Sequence, residues 1–154
     1  MTGIRRASAA DADVVGALLH AFNSEFATPT PGAAVLAERL DRLAADDRLV
    51  VLLAGDPAVG LAVVSFRPTV WSDGPAALLD ELYVRPEHRR RRLGHQLLAA
   101  VEDLVRERDG EALEIEVDGE DTDARRFYTA HGYSCTEPGR TDPALVYRRE
   151  LGTP

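Results

Sequence analysis

The run Leu82-Tyr83-Val84-Arg85-Pro86-Glu87-His88-Arg89-Arg90-Arg91-Arg92-Leu93-Gly94-His95-Gln96-Leu97-Leu98 constrains this chain more than any other. An apolar strand enters a proline-marked turn, passes four consecutive arginines and opens into an amphipathic helix. Such a junction aims the free N–H groups and the positive dipole end of a helix at whatever sits over the turn, which favours a phosphate. Guanidinium forks in the same turn add donors suited to a pyrophosphate or phosphomonoester. A phosphorylated ligand is therefore the first expectation. A Walker loop is excluded, because its second glycine and its lysine are missing, and no G-x-G-x-x-G is present.

Charge narrows the ligand. The net charge is −8, so the arginine cluster is a local exception on an acidic protein that repels nucleic-acid backbones. All 18 residues counted as Lys or Arg are arginine, which removes lysine nucleophiles and Schiff bases. The same Arg- and Ala-rich usage suggests GC-rich bacterial coding. With 154 residues the chain is expected to form one domain over 1–154, burying roughly two thirds of its unfolded surface. No run reaches the ~20 apolar residues of a membrane span, and Met1–Arg6 leads into no signal-peptide core. A cytoplasmic protein without membrane or nucleic-acid partners is expected, with the single Cys135 as a buried structural thiol.

Periodicity supplies the elements. Thr2–Arg6 reads as a short strand, and Ser8 with Asp11 as an acidic capping box for a helix over Ala9–Phe22. Pro31 suits the first turn of a second helix whose buried face is Val35, Leu36, Leu40 and Leu43. Leu49–Ala54 and Val59–Phe66 form a hairpin across Gly55-Asp56-Pro57, and Ala76–Val84 is the next strand. A helix from Gly94 stops near Asp109-Gly110. Leu113, Ile115 and Val117 alternate with acidic residues as a half-buried strand. A short helix covers Thr122–His131 and ends at Gly132. Tyr133–Thr136 and Leu145–Leu151 complete a last strand pair. The order β-α-α-β-β-β-α-β-α-β-β predicts an α/β (α+β) domain with a central mixed, mostly antiparallel sheet flanked by helices.

Two segments carry a family resemblance. Leu82-Tyr83-Val84 followed by Pro86, Arg89 and Gly94 resembles the acyl-CoA signature of the GNAT superfamily of N-acetyltransferases. Glu116-Val117, Asp121 and Ala124-Arg125-Arg126-Phe127-Tyr128-Thr129-Ala130-His131-Gly132-Tyr133 resembles its later strand-loop-helix. The segment order is also that family's order. The resemblance implies a GNAT-like fold and an acetyl-CoA-dependent N-acetyltransferase acting on a small-molecule or peptide amine in a ternary complex. It implies that Arg89, Arg90, Arg91, Arg92, Leu93 and the amides around Gly94 and His95 hold the pyrophosphate. Backbone groups of Leu82, Tyr83 and Val84 would pair with the pantetheine arm, and one N–H would polarise the thioester oxygen.

Two departures from the family pattern stand out. Arg92 replaces the first loop glycine, so it is expected to take an ordinary φ or hold the ligand slightly off. Asp121 replaces an asparagine that would donate to the pantetheine arm.

The catalytic candidates follow. Tyr128, read by itself, is either core or catalyst; the resemblance makes it the acid that protonates the CoA thiolate. Glu81 shares a strand face with Tyr83 and is the first candidate base, with Glu116 on the neighbouring strand as the second. Glu25, Phe26, Trp71 and Asp80 are candidates for the acceptor pocket, the two carboxylates attracting a cationic amine. The four histidines lie on separate elements without ligand spacing, so no metal is expected. A non-catalytic acyl-CoA sensor of the same fold is the alternative, and an apolar run such as Leu145–Tyr147 suits pairing across a homodimer.

Overall fold

The computed structural model describes residues 3–152 and divides into two compact units, Met1–Ile115 and Glu116–Pro154. In the first unit the chain runs through β1 (Ile4–Arg6), a 3-10 turn (Ala9–Asp11), α1 (Ala12–Glu25) and α2 (Ala33–Ala44). It continues through β2 (Leu49–Ala54), β3 (Gly60–Arg67), β4 (Ala76–Val84), a second 3-10 turn (Pro86–His88), α3 (Leu93–Glu107) and β5 (Leu113–Ile115). The strands form one sheet in the order β1-β2-β3-β4-β5. The first three pairings are antiparallel, and β4 pairs with β5 in parallel through the α3 crossover. The mixed, mostly antiparallel sheet expected from the sequence is thus present.

The apolar runs of β2 and β3 are buried on both faces, which explains their lack of alternation. One face carries Val51, Leu53, Leu61, Val63 and Tyr83 against Val15 and Leu18 of α1 and Leu40 of α2. The intervening Val50, Leu52, Ala62 and Val64 are buried on the other face. α3 packs on β2, β3 and β4, burying Leu97, Leu98, Val101 and Val105. Each such Leu or Val contributes roughly 1.5–3 kcal/mol of burial. The two helices of the first face approach closely at Gly16, where a Cβ would stand 2.4 Å from the Ala33 carbonyl oxygen.

The β4 ladder slips once. Val63 pairs with Glu81 but Val64 pairs with Leu79, so Asp80 is the extra residue of a β-bulge.

Boundaries shift in ways that local chemistry explains. Thr2 lies outside the described residues, and β1 is confined to Ile4–Arg6. The Asp11 carboxylate does accept the Ser8 N–H at 2.8 Å, but that turn is 3-10, and the α-helix runs on to Glu25. In α2 the buried residues are Ala37 and Leu40, whereas Val35 and Leu43 are exposed. β5 stops at Ile115, although the alternating burial continues through Val117.

The second unit contains α4 (Thr122–Ala130) and little other regular structure. Asp121 caps this helix by accepting the Ala124 N–H at 2.9 Å. The last strand pair does not form: among the described residues only the bridge Thr136↔Pro143 occurs there. Pro138 and Pro143 withhold ladder donors. The following residues also bury no face, with Leu145 69% and Tyr147 89% exposed. Cys135 is exposed, correcting the expectation of a buried thiol.

Candidate active site

β5 pairs only with Ala77, Leu78 and Leu79, so β4 leaves an open edge from Asp80 to Val84. Arg85 donates its N–H to the Val59 carbonyl at 2.9 Å, which sets the phase of the β3–β4 ladder. Strand alternation then turns the backbone groups of Tyr83 toward β3 and those of Leu82 and Val84 toward the open edge. The Val84 carbonyl is already taken by Arg89 Nε at 2.9 Å. What this edge offers an extended ligand is the Leu82 amide pair and the Val84 N–H.

The arginine turn divides into one engaged residue and three outward ones. Arg90, Arg91 and Arg92 are exposed, directly before the start of α3. The first helical bond runs from Gln96 N–H to the Arg92 carbonyl at 2.9 Å. Hence the N–H groups of Leu93, Gly94 and His95 lie outside the helical ladder. The Leu93 side chain is buried, so only its backbone is on offer. Arg92 has φ 62°, and Arg90 has φ 61°. Arg92 therefore has a left-handed backbone, which rules out the first of its two expected behaviours, an ordinary φ. Such a conformation costs a non-glycine residue roughly 1–2 kcal/mol.

Arg89 does not face outward with the other three. Its guanidinium pairs with both Glu25 carboxylate oxygens at 2.7 Å and lies 5.7 Å from the Tyr83 ring centroid. The Tyr83 ring in turn stacks on Phe22 with centroids 4.9 Å apart. This cluster fastens the end of α1 to the end of β4. The guanidinium beside Glu25 holds its carboxyl below the usual carboxylate range, and burial raises the Tyr83 hydroxyl. Arg89 is occupied by a carboxylate and a carbonyl, Glu25 is neutralised, and the Tyr83 side chain belongs to the core.

On the α1–α2 face of the same unit lies an open cleft of about 330 Å³. α1 contributes Leu19 and Asn23, one turn apart, and α2 contributes Leu36, Arg39, Leu40 and Leu43 at helical spacing. The sheet contributes Leu49, Val63 and Ser65, with Asp80 and Glu81 from β4. Two adjacent strand residues ordinarily point to opposite faces; the bulge at Asp80 brings both carboxylates to one cleft. Glu81 is partly buried, and burial first, then the Asp80 charge, raises its pKa above the usual carboxylate value. Phe26 is 54% exposed and packs edge-on to Phe22, and Trp71 is 91% exposed. Neither lines this cleft.

In the second unit Tyr128 is half-buried, its ring 5.2 Å from Phe127 and 5.9 Å from Tyr133 between centroids. Ala124, Phe127 and Tyr128 of α4 and its C-cap His131 are half-buried while the other residues of the helix are exposed, which matches the predicted face. Asp121 spends one carboxylate oxygen on its capping bond, and Glu116 is exposed beyond the end of β5. Among the described residues no group of three or more His, Cys, Asp or Glu is placed to hold a metal ion.

Residues 15–133 match the model of the acetyltransferase (GNAT) family. The chain belongs to the GNAT family. A GNAT-like structure from Arthrobacter sp. FB24, provisionally described as an acetyltransferase, shares 60% identity and superposes with a TM-score of 0.92. That alignment covers 98% of this chain and 97% of the other. An aminoglycoside acetyltransferase from an uncultured soil metagenomic sample, in complex with sisomicin, has TM-score 0.79 at 20% identity, covering 98% and 97%. A ribosomal-protein-alanine N-acetyltransferase from Brucella melitensis biovar Abortus 2308 has TM-score 0.77 at 20% identity, covering 99% and 100%. The latter two share the GNAT fold and nothing finer. No curated protein matches the chain.

The sequence did not mark out Arg39 or Ser65. Only the helical spacing of Leu36, Leu40 and Leu43 hinted at a common surface, and that surface read as core.

Proposed function

We propose that this GNAT protein is an acetyl-CoA-dependent N-acetyltransferase acting on a primary amine, with the whole chain serving as one catalytic domain. The observation that carries the reading is the open edge of β4 next to the arginine turn. The Leu82 amide pair and Val84 N–H suit the amides of a pantetheine arm. Arg90, Arg91, Arg92 and the amides of Leu93, Gly94 and His95 at the start of α3 suit its pyrophosphate.

The amine nitrogen attacks the thioester carbonyl carbon, and its electron pair forms the new C–N bond. A backbone N–H of the open edge stabilises the resulting oxyanion, a contribution of about 3 kcal/mol for one donor. Glu81 accepts the ammonium proton, directly or through water. Its raised pKa, caused by burial and Asp80, makes it a better base than an exposed carboxylate. Collapse of the tetrahedral adduct breaks the C–S bond, and the departing thiolate takes a proton, the role that the family resemblance gives Tyr128. Glu116, exposed and without a comparable environment, is the weaker candidate base.

The test is thiol release from acetyl-CoA with a panel of amines, with mass spectrometry of the acetylated product. Because the base must be ionised, kcat/KM should rise with pH through an acid limb lying above the ordinary carboxylate range. That limb should disappear in Glu81→Gln. Stabilisation by CoA with no thiol release from any amine or peptide would instead identify a binding protein.

A further inference from the structure

The cleft of the first unit has a chemical character that limits which amine can enter it, on the reading that it receives the acceptor. Its lining carries two carboxylates, Asp80 and Glu81. Its walls are aliphatic, from Leu36, Leu40, Leu43 and their neighbours across the sheet. The one cationic lining residue, Arg39, is exposed on α2 one turn from both Leu36 and Leu43. At about 330 Å³ the cleft lies at the small end of ligand sites.

A polyhydroxylated polyamine would leave most of its hydroxyls facing aliphatic side chains, with Asn23 and Ser65 as the neutral polar lining residues, and bring ammonium groups beyond those held by Asp80 and Glu81 toward Arg39. Both are unfavourable, the first by lost hydration and the second by like-charge repulsion. An amine with a single cationic head and a compact hydrocarbon body meets neither obstacle. We propose that the cleft selects an apolar monoamine, and that Arg39 turns away acceptors bearing a second cationic group.

The experiment compares isoamylamine, cadaverine, spermidine and sisomicin as acceptors for acetyl-CoA, with an alanine-initiated peptide alongside. Isoamylamine should show at least tenfold higher kcat/KM than cadaverine, which has the same number of carbons and adds a second charge. Arg39→Glu should narrow that gap by about tenfold, through a lower KM for cadaverine. Leu43→Asp, at a position already 55% exposed and so tolerant of a polar residue, should cost isoamylamine tenfold or more in kcat/KM.

Preference for cadaverine, spermidine, sisomicin or the peptide in the unmodified protein would overturn the proposal while leaving the acetyltransferase reading intact. An unchanged isoamylamine-to-cadaverine ratio in Arg39→Glu would remove Arg39 from selectivity and overturn the proposal as stated. If no amine releases thiol, titration calorimetry of isoamylamine against the CoA-saturated protein decides. Binding lost in Leu43→Asp and weaker for cadaverine upholds the cleft and sinks the enzyme, whereas absence of binding sinks both.

Discussion

The two units hold their folds by different means. Every buried hydrophobic residue found lies between Val15 and Val105, whereas none lies in the second unit among the described residues. The first unit has a sheet covered on both faces, while the second has one short capped helix followed by residues with a single β-bridge. Yet the proposed general acid, Tyr128, belongs to the second. A residue can thus matter to chemistry where it matters little to stability, and substitutions in the two units should separate those effects.

The largest effect should come from the unit with no buried core. Tyr128→Phe removes one oxygen and nearly preserves ring volume, so acetyl transfer should fall ~10²–10⁴-fold while acetyl-CoA still binds. Unchanged turnover, measured where chemistry limits the rate, would make Tyr128 a packing residue and erase the contrast.

Leu61→Ala, at a fully buried position of β3, should cost about 2–5 kcal/mol in chemical denaturation. A smaller loss would mean that the sheet repacks around the vacancy. Next, Arg90→Ala, Arg91→Ala and Arg92→Ala combined should weaken acetyl-CoA binding several-fold to a hundredfold, with each engaged guanidinium contributing ~1.5–3 kcal/mol at most. Calorimetry showing unchanged affinity would remove the phosphate assignment. The single variant Arg92→Gly sharpens this result, since it keeps the left-handed backbone and deletes only the charge.

The smallest effect belongs to Val146→Ser. At 70% exposure it should shift stability by less than about 0.5 kcal/mol. A loss dependent on protein concentration would show that Leu145–Tyr147 is covered by a second copy, as its apolar sequence suggests.

The elements legible in the sequence are those with a local cause. β2 and β4 are present over the expected residues because long apolar runs are bounded by turn residues. α3 follows from its leucine stripe and the glycine near its end. The final strands misled because the apolar run Leu145–Tyr147 describes a competence to pair, and pairing needs a partner edge that no local pattern supplies. The site shows the same division. Arg90–Arg92 face outward as their run suggested, while Arg89 is drawn to Glu25, sixty-four positions away, and to the Val84 carbonyl. That ion pair left no mark in the spacing of either residue. The joint presence of Asp80 and Glu81 in one cleft was equally hidden, since strict alternation separates them.

The bulge at Asp80 also works as a phase slip within one strand. Before it, Ala77 and Leu79 face away from α1 and α2; after it, the odd-numbered Glu81 and Tyr83 face toward them. β4 is therefore two reading frames joined at one residue. A segment grafted from another protein will keep its inside and outside only if its ends lie within one frame. Removing Asp80 would merge the frames and leave both neighbours on their present sides of the sheet, because Leu79 and Glu81 would then be adjacent and alternate as their partners Val64 and Val63 do.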